Sequence, residues 1–430
     1  MHQRIVSLSA ASPSDHFQAL SEVRDFATTD LGRGGPERWT YRVLPEPRLS
    51  MEVQRLAAPF SREGVDSISF QPCPLHEFTS QDRSLIDSWP MPGGMWTFTA
   101  VFDGHAGHST VDHAVHTLPT MVKGSLESYL RFHRASFSPE AISKILSDAI
   151  VAFDRSMTTN FLDLFPGGPA AVQRMSDRQI RGVFEDRVAG GRNAALAVRC
   201  LQGSTALLTL TDPMRSHLWV ANLGDSQAVL GARTPAGHWA PTFATAIHDG
   251  ENAAELHRLR SEHPGERDCA EDNRVIGFLG PFRALGDTWL KVPAVYSQRV
   301  LLNFRREWNV ERPEKYISRI RTPPYVSNVP DVQHVPLSPA APGKRRDIFL
   351  VTCSDGLADL YPDLSRRDMI NHWVMTVGRA VDSRTRVGNL ASCLLRDALG
   401  GDDVRLVSQK LTVEIEEKWM DDVTILVQRF

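Results

Sequence analysis

The sequence has few cysteines and no long apolar run, and both features limit the classes of protein to which it can belong. Its 430 residues include five cysteines, an odd number, and no two of them form a C-x-x-C pair. Such a set does not suit a disulfide framework and favours a reducing compartment. Apolar runs such as 348–351 are far shorter than the roughly 20 residues that a transmembrane helix needs. We therefore expect an intracellular protein that does not insert into a membrane.

The chain also lacks an excess of charge of one sign. Its formal net charge is −3, so it has no general basic field of the kind that draws proteins to nucleic acid. We expect no nucleic-acid partner. The first residues are rich in serine and include Arg4, but Asp15, Glu22 and Asp25 follow soon after. Because transit peptides are poor in acidic residues, this is a weak match, and the sequence alone leaves the compartment open.

One class of phosphatase and one kind of nucleotide-binding site are excluded because their motifs are missing. A cysteine-based phosphatase needs an arginine six positions after its cysteine, but Asp359 follows Cys353 at this spacing and Ala206 follows Cys200. The chain also has no G-x-x-x-x-G-K-[ST] loop, which excludes the commonest nucleotide-binding site. Cys353 is therefore interpreted as a small buried strand residue.

Glycine and proline divide the chain into two predicted parts. Residues 1–60 are dense in both, which argues against long regular elements, and we predict an irregular N-terminal lead-in. Residues 61–430 are predicted to form one domain, because the motifs described below extend almost to the last residue. A proline-rich segment near 313–342 is predicted to be a surface loop inserted into this domain.

Periodic patterns predict strands in groups and helices in groups. Strands are predicted at 96–102, at 217–230 around a turn, at 348–352 and at 423–427. One helix is predicted to start at Ser138-Pro139-Glu140, and others to lie near 252–261, 365–377 and 384–399. This grouping favours antiparallel sheets over a parallel βαβ array. The predicted fold class is α+β, with a central antiparallel β-sandwich flanked by α-helices.

Four aspartates stand at or beside predicted strand ends: Asp103, Asp225, Asp355 and Asp421. Any one of them alone is most simply a turn residue. Three of them, however, adjoin glycine in Asp-Gly or Gly-Asp pairs, and glycine lets the backbone approach a ligand closely. Mg²⁺ and Mn²⁺ prefer carboxylate, carbonyl and water oxygens, and two such ions can together activate water for attack on phosphorus. The set therefore predicts a site for divalent metal ions.

Six motifs around these aspartates resemble, in order, the motif series of the type 2C (PPM) protein phosphatases. They are Phe102-Asp103-Gly104-His105-Ala106-Gly107, Gly203-Ser204-Thr205-Ala206, Ala221-Asn222-Leu223-Gly224-Asp225-Ser226, Arg283-Ala284-Leu285-Gly286-Asp287, Ser354-Asp355-Gly356-Leu357 and Asp421-Asp422-Val423-Thr424. The resemblance covers residues 77–430. Within it, segments 255–264, 280–283 and 322–325 look like the branch that includes pyruvate dehydrogenase phosphatase.

This resemblance implies a four-layer αββα fold and a metal-dependent serine/threonine phosphatase. Such an enzyme hydrolyses phosphoserine and phosphothreonine with metal-activated water, using two Mg²⁺ or Mn²⁺ ions and a third, weaker one. The resemblance makes Asp103 the ligand that bridges both metals. It assigns the Gly104 carbonyl to one ion and Asp355 and Asp421 to the other.

The resemblance also assigns roles to three further residues. Asp225 and Asp359 match positions that hold the third ion. His105 matches the general acid that protonates the leaving alkoxide, a role that its near-neutral titration suits. The alternative is that His105 only hydrogen-bonds its loop.

The first motif departs from the family pattern at two positions. The family has a Glu-Asp pair whose glutamate binds metal, whereas this chain has Gln81-Asp82, and a neutral amide is expected to hold a divalent ion less well. Four residues earlier, many members have an arginine that binds substrate phosphate, and this chain has Glu77. The pyruvate dehydrogenase phosphatase branch also lacks that arginine. Arg83 is a candidate replacement, and a salt-bridge role for it is an equal alternative.

The implied partner is a phosphoprotein, with phosphorylated pyruvate dehydrogenase E1 as the candidate that the branch suggests. That branch implies the mitochondrial matrix, and otherwise a cytoplasmic location is expected. Two alternatives to an active enzyme stay open: a degenerate member that binds phosphoproteins or acts as a scaffold, and an unrelated metal-binding protein. Gln81 is the position that distinguishes the first alternative, while the retained acidic residues and His105 favour activity. The oligomeric state is not indicated.

Overall fold

The structure is a computed structural model, and the residues described are 25–73, 79–133, 137–186, 191–304, 312–337, 347–383 and 388–430. No helix in these ranges is long and apolar enough to cross a membrane. The chain divides into two compact units. The first contains the described parts of 1–60, 66–80 and 356–423, and the second contains those of 61–65, 81–355 and 424–430.

The regular elements are numbered along the chain. The strands are β1 Phe26–Thr29, β2 Trp39–Arg42, β3 Phe60–Arg62, β4 Val65–Phe70, β5 Arg83–Met91, β6 Gly94–Phe102, β7 Gly104–His105, β8 Gly203–Ser204, β9 Ala206–Thr211, β10 His217–Leu223, β11 Gln227–Arg233, β12 Trp239–Ala244, β13 Ala270–Glu271, β14 Arg274–Val275, β15 Leu285–Gly286, β16 Asp331–Pro336, β17 Ile348–Cys353 and β18 Val423–Arg429. The helices are α1 Arg48–Ala57, α2 Ser109–Phe132, α3 Pro139–Leu162, α4 Gly168–Arg174, α5 Asp177–Val183, α6 Arg192–Leu201, α7 Ala253–Glu262, α8 Ala294–Arg299, α9 Pro313–Ile317, α10 Gly356–Asp359, α11 Arg366–Asp382, α12 Leu390–Leu399 and α13 Val404–Thr412.

Two antiparallel sheets form the centre of the second unit. One has the strand order β16-β10-β9-β6-β5, and the other contains β12-β11-β17-β18. Alternate residues of β10 face opposite sides of the first sheet, as a pleated strand requires. Val220 packs between the sheets with Leu207, Leu230 and Leu350, whereas Trp219 packs on the other face. The predicted α+β class with an antiparallel sandwich is confirmed.

Two long helices cover the outer face of the five-stranded sheet. Leu118 and Leu126 of α2 and Leu146 and Phe153 of α3 are fully buried in one cluster with Trp219. Helix α3 begins where its sequence predicts, because the Ser138 hydroxyl accepts from the Ala141 N–H at 3.3 Å and proline occupies the first turn. The predicted helical flank is thus built from amphipathic helices whose apolar faces lie on the sheet.

The strand-turn-strand predicted at 217–230 divides between the two sheets. Strand β10 pairs with β9 and β16, while β11 pairs with β12 and β17. The turn that contains Asp225 therefore passes from one sheet of the sandwich to the other. This placement brings Asp225 to the end of both sheets.

The proline-rich segment was predicted to be a surface loop, but it contains regular elements. Its described part, 313–337, contains α9 and the edge strand β16, which pairs with β10 in register from Asp331 to Pro336. Tyr325 and Val326 are buried in a cluster with Trp289. Proline is tolerated here because β16 is an edge strand, where no ladder bond is needed on the outer side. Residues 338–342 lie outside the described ranges.

The first unit contains helices α1 and α10 to α13 and the β1-β2 hairpin. The described part of the predicted lead-in is therefore more regular than expected. The hydroxyl of Thr412 donates to the Arg42 carbonyl at 2.7 Å, and the Glu414 N–H donates to the Thr40 carbonyl at 2.8 Å. Glycines 32, 34 and 35 lie in the turn between β1 and β2, so these glycines separate regular elements and do not prevent their formation. The predicted domain boundary at residues 60–61 stays a prediction.

Candidate active site

Three of the four predicted aspartates come together at strand ends of the second unit. Asp103 follows β6, Asp225 lies in the β10–β11 turn, and Asp355 follows β17. One carboxylate oxygen from each lies within 4.8 Å of those of the other two. All three residues are partly exposed.

A buried pair of hydroxyl groups connects the loops that carry Asp103 and Asp225. The Thr205 hydroxyl accepts from the Asp103 N–H at 3.2 Å, and the Asp103 carbonyl accepts from the Thr205 N–H at 2.8 Å. The same hydroxyl lies 2.8 Å from that of Ser226, the neighbour of Asp225. A Cβ on Gly224 would lie 2.6 Å from Thr205, so only glycine permits this approach. Thr205 therefore fixes the spacing of the two loops.

The carboxylates repel one another strongly. Burial raises the pKa of Asp103 well above its ordinary value, and the charges of Asp355, Asp82 and Asp225 raise it further. Clustered carboxylates gain most from a cation that compensates their charge. The donor set, which consists of oxygen atoms alone, suits a hard divalent ion such as Mg²⁺ or Mn²⁺. The residues present therefore fit a divalent metal site.

Asp82 is held beside this cluster by a neighbour of Asp355. Its side chain is buried, and its Oδ2 accepts from the Ser354 hydroxyl at 2.7 Å. The Ser354 hydroxyl in turn accepts from the Thr424 N–H at 2.9 Å. Strands β17 and β18 thus fix the Asp82 carboxylate where its charge reaches Asp103.

His105 pairs with a buried aspartate to which the sequence had assigned no role. Its Nε2 lies 2.7 Å from Asp287 Oδ2, with the imidazole 25% exposed and Asp287 1% exposed. Burial opposes protonation of the ring, but the Asp287 charge, the hydrogen bond to Asp287 and the Asp225 charge outweigh it. The pKa of His105 is therefore raised above its ordinary value. A histidine whose pKa is raised beside a carboxylate cluster is suited to donate a proton there.

The family model for protein phosphatase 2C matches residues 80–386. The chain belongs to the protein phosphatase 2C family. It is therefore a protein phosphatase of a metal-dependent family, and the motif resemblance predicted from the sequence is confirmed.

Two relatives found by sequence agree with this assignment. A protein phosphatase 2C homolog of Schizosaccharomyces pombe is 28% identical over an aligned length of 390 residues, and the alignment covers 85% of this chain and 81% of that protein. The mitochondrial pyruvate dehydrogenase (acetyl-transferring) phosphatase 1 of Rattus norvegicus is 27% identical over an aligned length of 395 residues, and the alignment covers 77% of this chain and 71% of that protein. A structure of serine-threonine phosphatase 2C from Toxoplasma gondii is 17% identical, with a TM-score of 0.46 over 86% of this chain and 96% of that chain.

In this protein phosphatase 2C, Gln81 is engaged with the loop that carries His105. Its Oε1 accepts from the Gly107 N–H at 2.8 Å, and a Cβ on Gly104 would lie 2.6 Å from the Gln81 carbonyl oxygen. The carbonyl of an amide side chain has a second lone pair, so this hydrogen bond leaves room for a cation. Metal binding by Gln81, Asp82 and the Gly104 carbonyl stays a prediction.

Arg83 lies at the start of β5 and is engaged in an ion pair. Its Nε donates to Asp112 Oδ1 at 2.8 Å, and one terminal nitrogen donates to the Asp82 carbonyl at 2.8 Å. The salt-bridge alternative therefore describes part of its role. Phosphate binding by Arg83 stays a prediction, and Glu77 lies outside the described residues.

The remaining predicted ligands, Asp421 and Asp359, belong to the first unit. Asp421 pairs with Lys418 at 2.8 Å, and Lys418 also lies 3.3 Å from Asp422. Asp359 ends α10, and burial and the charge of Asp421 raise its pKa. Their membership of the metal site stays a prediction.

Several supporting residues were not assigned a role from the sequence of this phosphatase. Thr205 and Asp287 lie in two of the six motifs that resemble the family. The Gly286-Asp287 pair repeats the Gly224-Asp225 pair, and this repetition could have indicated a role for Asp287. His248 had no such signal. It is fully buried, its Nδ1 accepts from the Gly224 N–H at 3.1 Å, and its Nε2 lies 3.0 Å from Asp331. It therefore holds the turn that presents Asp225.

Proposed function

We propose that the chain is an active Mg²⁺- or Mn²⁺-dependent phosphatase that hydrolyses phosphoserine and phosphothreonine in proteins. The observation that carries this proposal is the convergence of Asp103, Asp225 and Asp355 within 4.8 Å. Loss of catalysis would leave such a repulsive cluster without a purpose, since three carboxylates at this spacing are costly without a cation. His105, held by Asp287, supplies a proton donor for the leaving group.

The proposed role of each residue follows from the chemistry of phosphate ester hydrolysis. Asp103, the Gly104 carbonyl, Asp225 and Asp355 would hold the divalent ions, with Asp421, Asp359, Asp82 and Gln81 as the further proposed ligands. When bound, such ions lower the pKa of water and compensate phosphate charge. His105 gives its proton to the serine or threonine oxygen as the P–O bond breaks, because an alkoxide is a poor leaving group without one. Arg83 is the proposed contact to substrate phosphate.

The substrate that we propose to test first is phosphorylated pyruvate dehydrogenase E1. The support is the similarity to the mitochondrial pyruvate dehydrogenase phosphatase 1 of Rattus norvegicus over 77% of this chain. On this proposal the protein acts in the mitochondrial matrix. Release of phosphate from phosphorylated E1 at a rate well above that from unrelated phosphoserine peptides is the expected result, and equal rates would contradict this choice of substrate.

Activity itself is tested with Mn²⁺ and a phosphoserine peptide. We expect metal-dependent phosphate release that Asp103→Asn abolishes while the fold is retained, because a neutral amide cannot compensate the metal charge. Asp363→Asn, an exposed aspartate outside the cluster, is the matched control and should leave the rate unchanged. More than about a tenth of the wild-type rate in Asp103→Asn, about 1.4 kcal/mol or less in barrier, would contradict the assignment.

The second candidate function is a phosphoprotein-binding scaffold without turnover, and Gln81 is the observation that favours it. Its Oε1 already accepts from Gly107, which is a structural use that needs no metal. A wild-type protein that releases no phosphate at millimolar Mn²⁺ but binds a phosphoserine peptide would support the scaffold and overturn the enzyme.

A further inference from the structure

The Arg283–Asp287 motif supplies a buried carboxylate to the candidate site, and none of the metal roles uses it. Asp287 lies 2.7 Å from His105 Nε2 and is 1% exposed. A buried carboxylate in contact with one imidazole nitrogen decides which nitrogen of the neutral ring keeps the proton, and it fixes the direction of the other. The contact therefore determines how His105 is presented.

Local backbone geometry holds Asp287 in place. Its φ of 44° lies in the left-handed region, its N–H donates to the Gln202 carbonyl at 3.0 Å, and its carbonyl accepts from the Leu290 N–H at 2.8 Å. A side chain at Gly203 would destroy the arrangement, since its Cβ would lie 2.1 Å from both Asp287 Oδ2 and His105 Nε2. The pair is thus packed against bare backbone.

A second buried aspartate anchors the strand that precedes Asp287. Asp154 of α3 accepts from the Gly286 N–H at 2.8 Å, from Lys291 Nζ at 2.8 Å and from Asn328 Nδ2 at 2.8 Å. Asp154 and Lys291 are both almost fully buried, so this ion pair is shielded from solvent. Asp287 therefore sits on a rigid base, as a residue that must orient another requires.

We propose that Asp287 is the positioning residue of His105: it accepts the Nε2–H and thereby directs Nδ1 as the nitrogen that donates the proton to the leaving group. This inference rests on the proposed phosphatase function. In the step, the oxygen of water bonds to phosphorus, the ester P–O bond breaks, and the Nδ1 proton passes to the departing serine or threonine oxygen. The water loses its proton to solvent, and neutral His105, protonated on Nε2, regains a proton on Nδ1 from solvent.

The kinetic test compares two leaving groups in the Asp287→Asn variant with Mn²⁺ present. An amide carries no charge to stabilise the imidazolium, so kcat on a phosphoserine peptide should fall about 100-fold. The kcat on p-nitrophenyl phosphate, whose leaving group scarcely needs a proton, should fall by less than about threefold. His105→Ala should show the same selectivity, and the double variant should lose little more than either single one, because the two side chains act as one unit.

Asp397→Asn is the matched control. It removes an equivalent contact of 2.6 Å, from Asp397 to His372 Nε2, which is not part of the candidate site. The ratio of the two substrates should be unchanged in this variant. Equal losses on both substrates in Asp287→Asn would overturn the proposal, since a merely structural aspartate would lower both rates alike.

A second readout does not depend on turnover. The ¹⁵N shifts of histidine-labelled, metal-free protein at alkaline pH report which nitrogen of each neutral ring is protonated, and His105→Ala identifies the signal of His105. We expect protonation on Nε2 in the wild type and in Asp397→Asn. Protonation on Nδ1 in the wild type overturns the proposal even if the protein is an active phosphatase. Inactivity towards both substrates with Nε2 protonation would refute the phosphatase function and, with it, the donor role of Nδ1, while leaving the orienting contact intact.

Discussion

Replacement of Asp355 by asparagine should stabilise the metal-free protein. The oxygens of Asp103, Asp225 and Asp355 lie within 4.8 Å of one another, so the fold holds three carboxylates together against their repulsion. The raised pKa of Asp103 is a direct consequence, since the charge of Asp355 disfavours its ionisation. An asparagine of the same shape removes one charge and keeps an oxygen that can accept a hydrogen bond.

The expected gain follows from the spacing. At 4.8 Å and an effective dielectric constant of about 20, Coulomb's law gives about 3.5 kcal/mol for a pair of unit charges. Solvent screening reduces this repulsion. We therefore expect Asp355→Asn to raise the free energy of unfolding without metal by about 1–2 kcal/mol.

Thermal and urea unfolding in EDTA measure the stability of the metal-free protein. Repeating them during a titration with Mn²⁺ measures the stability gained on metal binding. A ligand that binds only the folded state at 100 times its Kd stabilises it by about 2.7 kcal/mol, and the wild type should approach this gain. Asp355→Asn should start from a higher stability in EDTA and gain much less from Mn²⁺, because one ligand charge is missing.

Asp363→Asn makes the same change in net charge at an exposed position outside the cluster and should alter neither measurement. A metal-free Asp355→Asn protein that is less stable than the wild type would show that the carboxylates are not held against repulsion. An equal response of the two proteins to Mn²⁺ would remove Asp355 from the metal site.

Two further perturbations test the surroundings of the cluster. Gln81→Glu should lower the half-saturating Mn²⁺ concentration about tenfold, or about 1.4 kcal/mol, because a charge is added where the resemblance places a ligand; an unchanged titration would leave Gln81 with only its contact to Gly107. Glu255→Gln should cost about 2 kcal/mol at neutral pH, because Arg283 loses its pair with Glu255 and keeps the one with Asp331, and the stability should then depend less on pH in acid. Burial alone would raise the pKa of Glu255, but Arg283 and Arg258 lower it below 4.5, so the stabilisation is present above that pH and is lost as the pH falls below it. Urea unfolding across this range checks the sign, and parallel pH profiles of wild type and variant would contradict it.

The parts of the site that the sequence predicts are those that depend on local pattern. Strand β6 ends before Asp103 and β17 ends before Ser354-Asp355, as alternation and the adjacent glycines predict. The start of α3 at Ser138-Pro139 is likewise a local signal. Each of these features is fixed by a few neighbouring residues, and so their positions could be predicted without knowledge of the fold.

Other features depend on pairing partners that are distant in sequence. The strands on either side of Asp225 were predicted as one unit, yet β10 pairs with β9 and β16 while β11 pairs with β12 and β17. The proline-rich segment was predicted as a loop because prolines disfavour central strands, but an edge position removes that objection for β16. The residues of a strand do not determine which sheet it joins or whether it lies at the edge of that sheet.

The contact between His105 and Asp287 shows the same limit at the level of chemistry. The two residues are 182 positions apart, and each stands in a short motif that gives no sign of the other. They meet because β7, β8 and β15 form one small sheet, in which Gly203 pairs with both His105 and Gly286. A glycine at 203 is required there by the approach of both side chains, not by a turn, since its backbone is that of a strand. The Gly203–Ala206 motif is therefore best understood as the steric and hydrogen-bonding frame of the site. Gly203 admits the side chains of His105 and Asp287. Thr205 sets the distance between the loops of Asp103 and Asp225.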